Sequence, residues 1–357
     1  MNFFFLLLAP ASWLYGCVLR LRRWAFRAGC LPSRRLSSKV LSVGGIRVGG
    51  TGKTPFVIWL AAALRDRGYR VAVLTRGYAR RNTRDTQIVL HEELDRWDPL
   101  DCGDEPYLLA RSLRGVPVVV DSDRYRGGSI AQRRFPVDLF LLDDGFQHRR
   151  LARDCDIVLL TGEEGEAGAS CLPKGPLREP ISALRDAHAL VRMHGLPTDA
   201  APGLHHPAAD LQPRPEIPCF RAGLRRAGFF SLPEQKLVHP SSLEGAGVLA
   251  FCGIARPQSF WSVLESAGLG IVARRAFPDH HRYGEHDFQD LSRALSTAQW
   301  AVTTEKDAVK ISRFPWPAGR VLFLRMEVLL EDEELFWTFL LERLVVQAEG
   351  GGGGGCG

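Results

Sequence analysis

The first 65 residues of this 357-residue sequence contain no aspartate or glutamate, whereas ten lysines and arginines lie there. The rest of the chain carries 36 basic and 40 acidic residues, so the net charge of +6 belongs to the N-terminus and a general nucleic-acid-binding surface is excluded. The eight cysteines form no C-x-x-C pair and no zinc-ligand spacing, which indicates reduced structural thiols in a cytosolic compartment. Repeated long apolar runs are absent, which excludes a polytopic membrane protein.

An apolar segment opens the chain at residues 3–19, but a proline, a serine and a glycine interrupt it, and it is shorter than the roughly 20 residues of a transmembrane helix. Four arginines follow it, and this order is the reverse of a secretory signal. We predict that residues 1–30 form a helix attached to a membrane surface on its cytoplasmic side, with the arginines at anionic headgroups. A helix docked on the protein's own core is the alternative.

From residue 31 to residue 195, apolar runs alternate with helical patterns, which predicts an α/β fold: a parallel sheet with helices on both faces. The predicted strands lie at 39–46, 70–75, 116–121, 137–144, 156–160 and 189–193, and the helical patterns at 54–68, 105–113 and 182–187. Residues 196–216 are rich in proline, alanine and glycine and are predicted to be a linker. A second alternating pattern predicts a smaller C-terminal α/β lobe at 217–347, and 348–357 is a Gly-rich tail.

The first predicted strand leads into RVGGTGKTP and then a helix, which is the strand–loop–helix context of a phosphate-binding loop. Its glycines let consecutive backbone N–H groups point at phosphate oxygens. Lys53 is expected to reach the β- and γ-phosphates of a nucleoside triphosphate, and the Thr54 hydroxyl is expected to bind Mg²⁺. The residues expected around the phosphates are Gly49, Gly50, Thr51, Gly52, Lys53 and Thr54.

An apolar strand at residues 137–144 ends in two carboxylates, Asp143 and Asp144. Carboxylates at the C-terminal end of a strand beside a phosphate loop bind Mg²⁺ or order water in nucleotide sites. Asp-Asp-Gly by itself is also a common turn sequence. Together with the phosphate loop, however, it predicts that Asp143 and Asp144 form the metal side of the site.

These two motifs predict a nucleoside triphosphate site and leave the acceptor open. A kinase for a small or lipid acceptor, a regulatory GTPase and a motor or transport ATPase acting with a protein partner all remain possible. The sequence has no N-K-x-D signature of guanine recognition, which disfavours the GTPase. The aromatic and basic N-terminus favours the lipid kinase.

Nine segments carry more specific information than these motifs alone. They are SVGGIRVGGTGKTP (42–55), TRGYARR (75–81), GDEPYLLA (103–110), DSDRY (121–125), LDDGFQHRRLARD (142–154), LPKGPLREP (172–180), FCGIARPQSF (251–260), FPDHHRY (277–283) and TTEKDAVK (303–310). In these segments, and in their order, the chain resembles the tetraacyldisaccharide 4′-kinase (lipid A 4′-kinase) family of Gram-negative bacteria. The resemblance implies a P-loop NTPase-like fold and a kinase that transfers the γ-phosphoryl group of ATP, with Mg²⁺, to the 4′-hydroxyl of a tetraacyldisaccharide 1-phosphate. It also implies a place on the inner face of the inner membrane.

The resemblance further implies roles for individual residues. Asp104 and His280 match the proposed acid–base pair of the family, and a base at Asp104 would accept the proton of the sugar hydroxyl. A helix N-cap at Asp104 and a solvated pair of neighbouring histidines, His280 and His281, are the alternatives. The positions matched near the nucleotide or the reacting phosphates are Arg76, Tyr78, Arg178 and Glu179.

Three further features of the sequence concern the surroundings of the site. The family usually has asparagine at the position of Gly45 and a small hydroxyl residue at that of Arg47, which affects the expected geometry of the loop. The basic run at residues 149–153 is expected to be a solvated face, and contact with the 1-phosphate of the substrate is the alternative. Glu305, Lys306 and Asp307 lie at a predicted strand end that points at the cleft, and no role is assigned to them.

Overall fold

The computed structural model describes residues 8–78, 80–81, 83–165, 169–194 and 216–345. The predicted tail at 348–357 lies outside the described residues, and so does the predicted linker at 196–216 apart from Glu216. The predicted N-terminal segment is described from residue 8 onward.

The described strands make one 13-stranded sheet. They are β1 (Lys39–Gly45), β2 (Val71–Thr75), β3 (Gln87–Val89), β4 (Val118–Val120), β5 (Leu139–Asp143), β6 (Cys155–Leu160), β7 (Ala189–His194), β8 (Cys219–Ser231), β9 (Leu237–Val238), β10 (Gly247–Cys252), β11 (Gly270–Ala276), β12 (Trp300–Thr304) and β13 (Val321–Leu330). Their order across the sheet is β11-β10-β12-β13-β8-β7-β6-β1-β5-β2-β4-β3, and β9 pairs with β8.

Helices precede, connect and follow these strands. The α-helices in the described part of the chain are α1 (Ala9–Arg27), α2 (Lys53–Asp66), α3 (Pro99–Cys102), α4 (Asp104–Ser112), α5 (Arg124–Arg134), α6 (Pro257–Ser266), α7 (Glu285–Leu295), α8 (Glu305–Ile311) and α9 (Glu333–Val345). Short 3₁₀ helices lie at His91–Arg96, Glu163–Gly165, Ile181–Asp186 and Pro240–Ser242. The helical pattern predicted at 182–187 is therefore a 3₁₀ helix.

The long strand β8 connects the two predicted lobes through the sheet. Residues 219–223 of β8 pair in parallel with β7, and residues 222–231 pair antiparallel with β13, so β8 divides the sheet into a first half that ends at β7 and a second half that begins at β13. On both sides of β8 the sheet is parallel, as alternating strands and helices require, except that the edge strand β3 runs antiparallel to β4. The predicted α/β fold is thus confirmed.

Helix α2 fastens the predicted phosphate loop to the sheet. Phe56, Leu60 and Leu64 recur every four residues, so they lie on one face of the helix, and all three are fully buried. They belong to the same apolar cluster as Leu41 and Val43 of β1, the strand that precedes the loop. Burial of each such side chain contributes roughly 1.5–3 kcal/mol, so both ends of the loop are held by the core.

Helix α1 docks one face on the protein and exposes the other. On the docked face, Arg23 donates to Asp186 Oδ2 at 2.9 Å and to the Ser182 carbonyl at 3.1 Å. The alternative of a helix packed on the protein's own body is therefore realised on this face. The opposite face exposes large apolar side chains, namely Trp13, Leu14, Val18, Leu21 and Trp24. Among the described residues, no helix combines the length and apolar character that crossing a bilayer requires.

Candidate active site

The phosphate loop follows β1 and ends where α2 begins, at Lys53. Gly49 and Gly52 have φ values of 108° and 75°, in the left-handed region that residues with a Cβ rarely adopt. These two glycines let the chain turn from the strand into the helix N-terminus, where free backbone N–H groups favour an anion. The predicted strand–loop–helix geometry is present.

Lys53 connects the loop to the acidic strand end. Its Nζ donates to Thr51 Oγ1 at 3.2 Å and lies 3.6 Å from Asp144 Oδ1. Asp144 also accepts from Arg178, whose Nη1 lies 2.7 Å from Asp144 Oδ2. The same guanidinium donates to the backbone carbonyl of Arg47 in the loop. The structure therefore brings Lys53, Asp144 and Arg178 together.

The two neighbouring carboxylates of the strand end differ in their electrostatic surroundings. Burial raises the pKa of Asp143 to about 7, and the negative charges of Glu105 and Asp144 add to this, although Thr75 donates a hydrogen bond to it at 3.1 Å. Burial acts in the same direction on Asp144, but Lys53 and Arg178 outweigh it and lower the pKa of that carboxyl. Asp143 is thus a buried carboxylate whose charge is poorly compensated by the protein.

The residues at the strand end fit Mg²⁺. Mg²⁺ is usually held by one or two carboxylates together with substrate phosphates and water, rather than by a complete protein cage. Asp143, Asp144 and the Thr54 hydroxyl offer oxygen ligands, and all three line one cavity. Within the described residues no cluster of three or more histidine, cysteine, aspartate or glutamate ligands is found.

Asp104 and His280 meet across the two halves of the sheet. His280 Nδ1 lies 3.1 Å from Asp104 Oδ2, although the two residues are 176 positions apart. Gly103 is the N-cap residue of α4, and Asp104 Oδ1 accepts only the N–H of Glu105, so the N-cap alternative for Asp104 is wrong. His281 instead contacts Asp287 at 3.0 Å, which separates the two histidines.

The pair affects the protonation of both members. Burial acts to raise the pKa of Asp104, but the hydrogen bond from His280 and the charge of Lys306 outweigh it and leave that pKa lowered. The hydrogen bond to Asp104 raises the pKa of His280, while burial and Lys306 oppose the rise. Asp104 therefore carries an ionised carboxylate at neutral pH, which is the form that accepts a proton.

The other predicted residues divide into two groups. Arg76 and Tyr78 line the cavity, and the Tyr78 ring lies 5.2 Å from the imidazole of His280. Glu179 is 1% exposed and is not among the described residues that line the cavity. Burial raises the pKa of Glu179, and its Oε2 has no hydrogen-bond partner in the described part of the chain. The structure thus places Glu179 behind the site.

Two groups were not assigned from the sequence. Lys306 Nζ lies 3.0 Å from His280 Nε2 and 3.4 Å from Glu105 Oε1. The strand end in TTEKDAVK was the only sequence signal for it. Arg47, which departs from the family pattern, contacts Glu163 Oε2 at 2.7 Å, and Arg256 of the second half contacts the same carboxylate at 2.6 Å. Arg47 therefore takes part in an ion-pair group that spans both halves.

One cavity of about 1960 Å³ is lined by residues of the phosphate loop, by Asp143 and Asp144, and by His280 and Lys306. It extends from the phosphate loop to side chains of α1, among them Tyr15, Leu19, Arg22 and Phe26. Pockets for ordinary small ligands measure roughly 300–1,000 Å³, so this cavity has room for a nucleotide and a large second substrate.

A phosphate loop and an oxygen-ligand strand end line one cavity together with His280, the histidine of a carboxylate–histidine pair, and this combination defines a P-loop phosphotransferase. The family model for tetraacyldisaccharide-1-P 4′-kinase matches residues 4–345, and the chain belongs to that family. It is 40% identical over 329 residues to a tetraacyldisaccharide 4′-kinase of Pelobacter propionicus, and the aligned residues make up 91% of this chain and 89% of that protein. A relative of the same name from Syntrophus aciditrophicus is 39% identical and covers 96% of this chain and 93% of that protein.

A solved structure is also similar. The crystal structure of LpxK from Aquifex aeolicus in complex with ATP superposes with a TM-score of 0.77 at 32% sequence identity. The match covers 96% of this chain and 99% of the Aquifex chain, so it includes both halves of the sheet.

Proposed function

We propose that the protein transfers the γ-phosphoryl group of ATP to the 4′-hydroxyl of a tetraacyldisaccharide 1-phosphate, which yields the 4′-phosphorylated lipid A precursor. The observation that carries this proposal is the Asp104–His280 pair, because His280 lines the same cavity as the phosphate loop and contacts the Asp104 carboxylate at 3.1 Å. The names of the relatives and the ATP in the Aquifex structure support the choice of substrates.

The nucleotide side of the reaction uses groups of the first half of the sheet. The loop N–H groups and Lys53 bind the phosphates, and Lys53 stabilises charge that develops on the transferred group. Thr54, Asp143 and Asp144 would hold Mg²⁺, which neutralises negative charge on the phosphate oxygens when it is bound. Arg178 holds Asp144 next to the loop backbone, because its guanidinium donates hydrogen bonds to both.

The acceptor side supplies the base. A sugar hydroxyl is a poor nucleophile at neutral pH, so proton removal during the transfer lowers the barrier. Asp104 accepts the proton of the 4′-hydroxyl as the new bond from oxygen to the γ-phosphorus forms. At the same time the bond from that phosphorus to the β–γ bridging oxygen breaks, and ADP leaves with both electrons. The imidazole of His280 orients the Asp104 carboxylate through Nδ1.

The exposed face of α1 supports attachment to the cytoplasmic face of the inner membrane as a peripheral or monotopic protein. Trp13 and Trp24 are 69% and 60% exposed, and aromatic side chains of this kind favour the boundary between headgroups and acyl chains. Arg22 and Phe26 of the same helix line the cavity, so a lipid held at the membrane surface has a direct path to the phosphate loop. A Trp13→Glu, Trp24→Glu double variant is expected to lose binding to anionic vesicles while it retains ATP binding.

The function is tested with labelled ATP, Mg²⁺ and tetraacyldisaccharide 1-phosphate in detergent. The expected product is a lipid with one additional labelled phosphate, and Lys53→Ala is expected to form it at least about 10²-fold more slowly. Lys236→Ala, a change of an exposed lysine outside the cavity, is the matched control. Release of inorganic phosphate without a labelled lipid would contradict the proposal and favour an ATPase that acts with a protein partner.

A further inference from the structure

Lys306 lies in the first turn of α8, where a helix cap restrains the backbone. Thr304, the last residue of β12, accepts a hydrogen bond from the N–H of Asp307 at 3.1 Å and so caps the helix. The cap fixes the first turn of the helix, from which the Lys306 side chain extends to His280. The side chain of Lys306 is 20% exposed, and its Nζ is 3.0 Å from His280 Nε2.

The contact between Lys306 and His280 selects one form of the imidazole. An ammonium group has only donors, so His280 Nε2 must accept and carry no proton. The ring proton then sits on Nδ1, the atom 3.1 Å from Asp104 Oδ2. A doubly protonated His280 would bring two positive groups 3.0 Å apart, which is unfavourable.

We propose that Lys306 is a positioning residue that keeps His280 neutral, with its proton on Nδ1, so that His280 orients the Asp104 carboxylate toward the acceptor hydroxyl. This inference rests on the proposed role of Asp104 as the base. The third member of the acceptor-side group therefore lies on α8, which is separate from the phosphate loop and from the loop that carries His280.

Charged groups of both signs surround the imidazole. Asp104 and Glu105 face it from α4, Asp279 lies in its own loop, Lys306 reaches it from α8, and the Tyr78 ring approaches it from the segment after β2. Burial acts to lower the pKa of Lys306, but Glu105, Asp104 and Asp279 outweigh it, and that pKa is raised. Lys306 is therefore an ammonium at neutral pH. Its charge opposes the rise in the pKa of His280 that the hydrogen bond to Asp104 causes, and it helps to lower the pKa of Asp104.

The test measures the protonation of His280 in the full-length protein. In protein labelled with ¹⁵N-histidine, the His280 resonance is identified by its absence from the spectrum of His280→Gln. Lys306→Met is expected to raise the pKa of His280 by on the order of one unit, because a nearby positive charge is removed. Lys306→Arg, which keeps the charge, is expected to restore most of the difference, and Lys236→Met is the surface control.

The kinase assay provides a second readout. In Lys306→Met, the acid limb of the kcat profile is expected to move to higher pH by the same amount as the His280 pKa, while KM for ATP changes by less than about twofold. Lys306→Gln, which keeps a donor without the charge, gives the same readings if the Met variant does not fold. An unshifted His280 pKa, or a loss of kcat that is equal at every pH, would overturn the proposal.

Two variants distinguish the role of Asp104 as the base from the role of Lys306. If Asp104→Asn kept wild-type turnover, the assignment of the base would be wrong even where the His280 pKa shift is observed. If Asp104→Asn lost turnover but Lys306→Met left both the His280 pKa and the pH profile unchanged, only the role of Lys306 would be wrong.

Discussion

One carboxylate at the nucleotide side and one at the acceptor side have pKa values that are shifted in opposite directions. Asp143, at the nucleotide side, is buried with other negative groups nearby, and its pKa is raised to about 7. Asp104, at the acceptor side, is flanked by His280 and Lys306, and its pKa is lowered although it is buried. The first carboxylate gains from an added cation, whereas the second is already compensated. This difference supports the proposed roles of Asp143 as a metal ligand and of Asp104 as the general base.

The largest effect is expected at the acceptor side. Asp104→Asn keeps the shape of the side chain but removes the proton acceptor, so kcat is expected to fall by about 10²–10⁴-fold. ATP binding is expected to persist, because the phosphate loop lies on other elements. Rapid-quench assays and equilibrium ATP binding measure the two quantities. A loss of ATP affinity equal to that of Lys53→Ala would contradict the separation of the two sides.

The second test concerns the stability of the nucleotide side. The raised pKa of Asp143 means that its ionisation opposes folding, and this cost grows from about pH 4 to pH 7 and then stays constant. Asp143→Asn is therefore expected to raise the midpoint of thermal unfolding of the ligand-free protein at pH 8, and by less at pH 5. Added Mg²⁺ and ATP are expected to stabilise the wild type more than the variant, which keeps the phosphate loop but lacks one metal ligand.

A lower midpoint for Asp143→Asn at pH 8 would show that the carboxylate is compensated after all. The matched control is Asp144→Asn, because Lys53 and Arg178 lower the pKa of Asp144. Removal of that charge is expected to destabilise the ligand-free protein at pH 8, the opposite sign from its neighbour.

The smallest effect is expected at Arg47, which joins the nucleotide side to the second half of the sheet through Glu163 and Arg256. Arg47→Ser installs the kind of residue that the family usually has there, and Glu163 keeps its contact with Arg256. Partly exposed ion pairs contribute about 0–1 kcal/mol, so KM for ATP is expected to change by less than about fivefold. A change of more than tenfold in steady-state kinetics would show that Arg47 itself shapes the loop.

Local patterns predicted the nucleotide side well. The residues of the nucleotide side occur within two short segments, the loop with Gly49, Gly52 and Lys53 and the strand end with Asp143 and Asp144. The structure brings these segments together at the C-terminal ends of the neighbouring strands β1 and β5. The solvated face expected for the basic run after this strand is found at Arg150, which is exposed, but not at its neighbours. Arg149 and Arg153 have side chains only 9% exposed and pair with Asp186 and Asp156, partners that come from other positions along the chain.

The motifs alone were sufficient for the triphosphate loop and the acidic strand end, because both depend on backbone conformation and on residues that are neighbours in the chain. The acceptor side is different. Asp104, His280 and Lys306 come from three separate elements, and their distances of 3.0–3.1 Å exist only because β8 pairs with β7 on one side and with β13 on the other. Contacts between distant segments depend on how the whole sheet assembles, so the protonation of the base was decided by tertiary packing.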